Sequence, residues 1–314
     1  MLKAELVASV ALLASLGAGS AGQTTAKPAV DGASGARNAT TLAENGHCVE
    51  ALPELRKSVA QVKERELKLK VGVDGVRCAM TVHQPEAALD FLRVLARDFP
   101  KDPDALYVAV HAYSDLSTMA SQELGRDAAD SYQAHELLAE AFESQGKWDD
   151  AEKEYRGILQ QNPNLPGIHF RLGRLLLSKA NASPEAANQA KAEFEEELKL
   201  DPKNAGAEYV LGEMARQGQQ WDEAANHFSR AAKLDPQFGE AFLGLGMALI
   251  AEKKYSDAVP PLQRAVKLAP KNPNAHYNLA VAYSRAGRKQ EGEKEFAIHQ
   301  SLIGEQGTSS PQPQ

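Results

Sequence analysis

Lys199-Leu-Asp-Pro202, Lys233-Leu-Asp-Pro236 and Lys267-Leu-Ala-Pro270 are one phrase written three times, and Gln160-Gln-Asn-Pro163 is a looser copy. The four prolines are separated by 39, 34 and 34 residues. A fixed period of this length marks a stack of small supersecondary units. Ahead of each proline lies a second phrase: Gly146-Lys-Trp148-Asp-Asp-Ala151, Gly218-Gln-Gln-Trp221-Asp-Glu-Ala224 or Lys254-Tyr255-Ser-Asp-Ala258. Further back come Leu172-Gly173, Leu211-Gly212 and Leu245-Gly246. Two helices fit each period. The first packs through i, i+3, i+4, i+7 stripes: His169, Leu172, Gly173, Leu176; Glu208, Leu211, Gly212, Ala215; Phe242, Leu245, Gly246, Leu249. The second packs through Ala151, Tyr155, Ile158, then Ala224, Phe228, Ala231, then Ala258, Leu262, Ala265. Alanine and glycine on these stripes let the helices approach closely, and proline ends each pair because it cannot continue a helix.

The period, the Leu-Gly pair, the aromatic-Asp-x-Ala turn and the terminal proline coincide in one frame, and together they resemble the tetratricopeptide repeat family. The resemblance implies an all-α fold, a right-handed superhelical solenoid of antiparallel helix pairs in which each pair touches only its neighbours. It frames five repeats at 132–165, 166–204, 205–238, 239–272 and 273–306; in the last, Gly292 replaces the usual alanine. Upstream, Ala88, Leu92, Leu95 and Pro100 keep the phase, so 46–131 reads as degenerate repeat-like helices with repeats near 69–102 and 103–131. Pro100 to Pro163 is 63 residues, five short of two periods, which assigns the 103–131 repeat a shortened second helix. Residues 47–60 read as a lone second helix. The extra length of repeat 166–204 falls near Asn181-Ala-Ser183-Pro184, where Ser183 can cap a helix that Pro184 opens.

The composition agrees. Of 314 residues, 52 are alanine and 6% are aromatic, which favours helix over strand. A net charge of −7 argues against a nucleic-acid-binding surface. Residues 1–21 read as a secretory signal: Lys3, an apolar run from Leu6 to Leu16, then small residues with cleavage near Ala21. The mature protein is therefore expected to be exported, periplasmic or secreted, with no transmembrane segment. Residues 22–45 lack a hydrophobic period and read as a disordered linker, and 307–314 as a disordered tail.

No catalytic set emerges. His135, His169 and His276 share one slot in three repeats, where a packing residue belongs; a whole helix pair separates them, too far to share a metal ion. His135-Glu136 lacks the second histidine of a zinc-protease helix. Gly244-Leu-Gly246 lies inside a helix with no strand before it, and Glu195-Glu-Glu197 reads as a solvated helix face. The expectation is no enzyme activity, no metal and no cofactor.

Two cysteines remain. Cys48 opens the helix at 47–60 and Cys78 ends the next one, so a turn near residue 63 would set them side by side as a disulfide, which an oxidising compartment permits. Two buried free thiols are the alternative. The family's work, protein–protein interaction, implies a non-enzymatic scaffold or adaptor for a protein or peptide partner; a periplasmic assembly chaperone or maturation factor for envelope proteins is the second possibility. The groove-lining stripe starts one residue after the packing stripe, about 100° round the helix. On it lie Phe170, Arg174, Tyr209, Arg216, Leu243, Met247 and Tyr277, which the resemblance implies line the partner-binding groove; packing between adjacent repeats is the alternative. No lysine clamp for a terminal carboxylate stands there.

Overall fold

A computed structural model describes residues 32–179 and 183–308; the signal expected at 1–21 lies outside them. Fifteen helices and no strand occur among the described residues. They fall into two compact units that divide at residue 120.

In the first unit α1 (Gly32–Glu44) pairs with α2 (Cys48–Ser58), and α3 (Arg65–Thr81) with α4 (Pro85–Asp98). The expected linker at 22–45 is therefore corrected over 32–44, which is helical, and the helix at 47–60 is not alone. The segment folds because small side chains pack without a visible hydrophobic pattern. Ala36, Ala39 and Thr40 are buried, and a Cβ on Gly35 would lie 2.6 Å from Glu54 Oε1. In the second pair Phe91, Leu92 and Leu95 of α4 are buried at 2% exposure or less. A Cβ on Gly72 would sit 2.6 Å from Leu95 Cδ2, so glycine sets that close crossing. Cys48 and Cys78 form a disulfide, with Cα atoms 4.8 Å apart.

α5 (Pro103–Asp127) corrects the reading of 103–131 as a helix pair with a shortened second member. It is one 25-residue helix. No proline and no turn sequence interrupts 104–124, so nothing stops propagation until Gly125 and the Ala-Ala-Asp that precedes Ser131.

The second unit contains five consecutive pairs: α6 (Tyr132–Ser144) with α7 (Trp148–Gln161), α8 (Ile168–Ser178) with α9 (Pro184–Leu200), α10 (Ala205–Gln217) with α11 (Trp221–Leu234), α12 (Gly239–Ala251) with α13 (Tyr255–Leu268), and α14 (Pro273–Arg285) with α15 (Lys289–Thr308). Helix α15 reaches Thr308, so the expected disordered tail at 307–314 is corrected at its first two positions. Polar side chains start the helices. Ser131, Ser183, Asn204 and Asn272 each accept a backbone N–H from the first turn that follows. The Leu-Gly glycine faces a large side chain of the second helix. A Cβ on Gly173 would lie 2.9 Å from Phe194, and one on Gly212 2.9 Å from Phe228. Tyr155, Phe194, Phe228 and Leu262 occupy this one slot in four pairs, each 0% exposed.

The shared histidine slot is electrostatic. The Nδ1 atoms of His135, His169 and His276 lie 2.7, 2.6 and 2.6 Å from the carboxylates of Glu154, Glu193 and Glu295 on the paired helix. Repeat 205–238 holds the same pair reversed, Glu208 on the first helix and His227 on the second, at 2.6 Å.

Candidate functional site

One face of the second unit's first helices carries the expected groove stripe, and its chemistry changes from pair to pair. The same three slots hold Glu136, Glu140 and Glu143 on α6, Phe170, Arg174 and Leu177 on α8, and Tyr209, Glu213 and Arg216 on α10. Helix α12 then brings Leu243, Met247 and Ile250, and α14 brings Tyr277, Val281 and Ser284. The stripe begins charged and ends apolar.

The charged end is answered from within. Arg171, a residue outside the expected set, pairs with Glu136 at 2.8 Å and Glu140 at 2.5 Å. Arg174 approaches Glu143 at 3.7 Å, and its side chain stays 53% exposed. Glu143 also accepts the Tyr155 hydroxyl at 2.7 Å, and burial, helped by that carboxylate, holds the phenol well above its ordinary pKa. Arg216 grips its neighbour Glu213 through Nε and Nη2, at 2.7 Å for the shortest contact. That i, i+3 pair engages a guanidinium expected to line the groove.

The aromatic rungs differ among themselves. Phe170 is half-buried, edge-on to Phe194 with ring centroids 5.7 Å apart, and Gly206 of the following pair closes over it. Tyr209 is half-buried between Phe228, at 5.7 Å, and Phe238, at 4.7 Å. Burial raises its phenol pKa, with the carboxylates of Glu213 and Glu240 adding to the effect. Leu243 packs on the cluster of Ala258, Leu262 and Leu279, and Met247 is half-buried. Tyr277 alone is open, at 45% exposure. Each earlier rung is leaned on by the next helix pair. Beyond Tyr277, α14 and α15 instead border an open cavity of about 570 Å³ lined by Tyr277, Val281, Arg285, Phe296 and Gln300.

One buried group was hidden from the sequence reading. Glu197, expected on a solvated helix face, is 1% exposed. Both its oxygens accept the Gly167 N–H at 2.9 Å, and it also takes N–H groups from Phe170 and Asn204. It satisfies the start of α8, whose N-cap Gly167 has no side chain to do so. The missed signal was the register: Glu197 stands in the slot of Ile158, Ala231 and Ala265, all buried.

Among the described residues no group of three or more His, Cys, Asp or Glu side chains could hold a metal ion. Among them, too, no helix is long and apolar enough to cross a membrane.

Comparison with known proteins bears on the same residues. Models described as tetratricopeptide repeat match residues 133–175, 187–237, 215–273 and 249–298. No curated protein matches the chain. Among solved structures, a MamA protein aligns at 18% identity and TM-score 0.50, covering 58% of this chain and 97% of its own. YrrB, described as a tetratricopeptide repeat protein with an unusual peptide-binding site, aligns at 20% identity and TM-score 0.50, covering 58% of this chain and 92% of its own. At these identities the likeness concerns the fold: an all-α solenoid of helix pairs. With the helix pairs, the repeated Leu-Gly contacts and the matched family models in agreement, the second unit is built of tetratricopeptide repeats.

Proposed function

We propose that the protein is a non-enzymatic scaffold or adaptor that holds a segment of a partner protein along the first-helix faces of its second unit. The contact set is Phe170, Arg174, Tyr209, Arg216, Leu243, Met247 and Tyr277, with unequal roles. The observation that carries this reading is the gradient of the stripe. Its charged end is neutralised internally, while at the other end Tyr277, beside the rings of Phe296 and His299, stays 45% exposed next to half-buried Leu243 and Met247. Aromatic residues and methionine are enriched at protein interfaces, and exposed apolar surface rimmed by polar groups marks interaction sites. The peptide-binding site described for YrrB supports a similar use here.

The site of action in this proposal is outside the cytoplasm, after removal of residues 1–21. The Cys48–Cys78 disulfide supports it, because such bonds persist in oxidising compartments. The test is crosslinking capture from the envelope fraction of the source cell by wild type, Met247→Ala and Tyr277→Ala. Loss of the captured protein in both variants, at unchanged helical signal and melting midpoint, is expected. Equal capture by all three would place the contact elsewhere. Export is checked by N-terminal sequencing of the mature protein, and Met1 intact on cytoplasmic protein would refute it.

A further inference from the structure

The second unit has two unfinished ends, and one fits the other. At the C-terminal end Phe296 is 42% exposed, although Tyr155, Phe194, Phe228 and Leu262 in the same slot are 0% exposed. In the pair before it, the space against that slot is taken by α14. Leu279 (2%), Ala282 (0%) and Tyr283 (6%) pack there on Ala258 and Leu262, and the Tyr283 hydroxyl accepts from Gln263 at 2.7 Å. The cavity between α14 and α15 is thus the seat of a following first helix.

At the other end α6 opens the series of pairs, with no second helix before it in the unit. Its Leu138 is 42% exposed, while Leu172, Leu211 and Leu279 in the same slot are at 2% or less. Residue by residue α6 is a helix of the α14 type: Ala134, Leu138, Ala141 and Phe142 stand where α14 has Ala275, Leu279, Ala282 and Tyr283. We propose that the protein self-associates head to tail, the α6 face of one copy seating in the α14–α15 cavity of another. The contact would continue outside the chain the packing that joins successive pairs within it. It is heterologous, so each copy keeps one free donor face and one free seat, and assembly is open-ended or closes into a ring. The seat shares Tyr277, Val281 and Ser284 with the groove stripe, whereas Leu138 and Phe296, the positions tested below, lie off that stripe.

Sedimentation velocity on the full chain tests it, from about 1 to about 300 µM, the range in which a contact of one helix would populate. Wild type is expected to shift from monomer to dimer and larger species. Leu138→Asp and Phe296→Asp should each remain monomeric, with association weakened at least about tenfold. Mixed together they should form a one-to-one dimer and nothing larger, because each retains the surface the other lacks. Both positions are exposed, so folding should survive; if far-UV circular dichroism shows otherwise, Leu138→Gln and Phe296→Gln replace them with the same expectations. A wild type that stays monomeric throughout would overturn the proposal. So would a single variant that still associates, or a mixture that fails to pair.

Discussion

Glu197→Ala separates two ways of reading a repeat protein. Alignment of the repeats places Ala231 and Ala265 in the same slot, so a consensus argument expects the substitution to be neutral or stabilising. The structure says the opposite. The carboxylate is 1% exposed and accepts the N–H of Gly167 at 2.9 Å, that of Phe170 at 3.3 Å and the Asn204 amide at 3.1 Å. Hydrogen bonds to a charged acceptor are worth about 1.5–3 kcal/mol each, and an anion at a helix N-terminus adds about 0.3–1 kcal/mol. These are not additive, since desolvation of the carboxylate offsets part of them. Breaking such a buried polar cluster costs about 3–5 kcal/mol. Glu197→Gln keeps one acceptor oxygen and should cost about 1–2 kcal/mol. At about 2–4 °C per kcal/mol for a unit of this size, the alanine variant should melt roughly 6–20 °C lower if unfolding is cooperative. Because each pair contacts only its neighbours, amide exchange should accelerate first in α8 and α9 and least in α15. Thermal denaturation with hydrogen exchange measures both. An alanine variant within about 1 kcal/mol of wild type, or one no less stable than Glu197→Gln, would refute the assignment of Glu197 as a cap.

Three further predictions rest on equally local geometry. In the second unit, the turns within four of the pairs put one residue in the left-handed region: Gly146 and Gly287, but also Gln219 and Lys253, at φ 58° and 64°. Gln219→Gly and Lys253→Gly should each raise the melting midpoint by the equivalent of about 0.5–1 kcal/mol, the left-handed penalty less glycine's added chain entropy. Asp74 is buried, its Oδ2 accepts no hydrogen bond although Lys70 Nζ lies 3.8 Å away, and burial raises its carboxyl pKa against the pull of Lys70 and Arg77. A raised folded pKa means stability is full below the unfolded value near 3.9 and is lost as pH rises through the folded value. The midpoint of Asp74→Asn minus that of wild type should therefore grow from pH 4 to pH 7, and a constant difference would contradict this. Finally, His276→Glu sets two carboxylates together and should cost about 1–3 kcal/mol; adding Glu295→His should recover most of it, as Glu208 and His227 are arranged that way naturally. Chemical denaturation of the singles and the double gives the coupling.

Much of this fold is written locally. Proline, the Leu-Gly pair and the capping residues Ser131, Asn204 and Asn272 recur at fixed spacing because each pair solves the same packing problem, so the sequence by itself determined the period, the two-helix unit and the slots of Tyr155, Phe228 and Leu262. It also set Cys48 and Cys78 at the start and end of adjacent helices, with the bond itself left to their geometry. What it did not determine were contacts whose cause lies across the chain. Helix α1 packs through Ala36, Ala39 and Thr40, too small to leave a hydrophobic period. Glu197 is buried because the start of α8, thirty residues away, offers it the N–H groups of Gly167 and Phe170 and has no capping side chain of its own. The groove stripe is identical in slot from Phe170 to Tyr277, yet Phe170 and Tyr209 are half-buried and Tyr277 is open. A side chain on a helix cannot carry that difference; it depends on whether another pair is packed against it, and only the tertiary structure decides that.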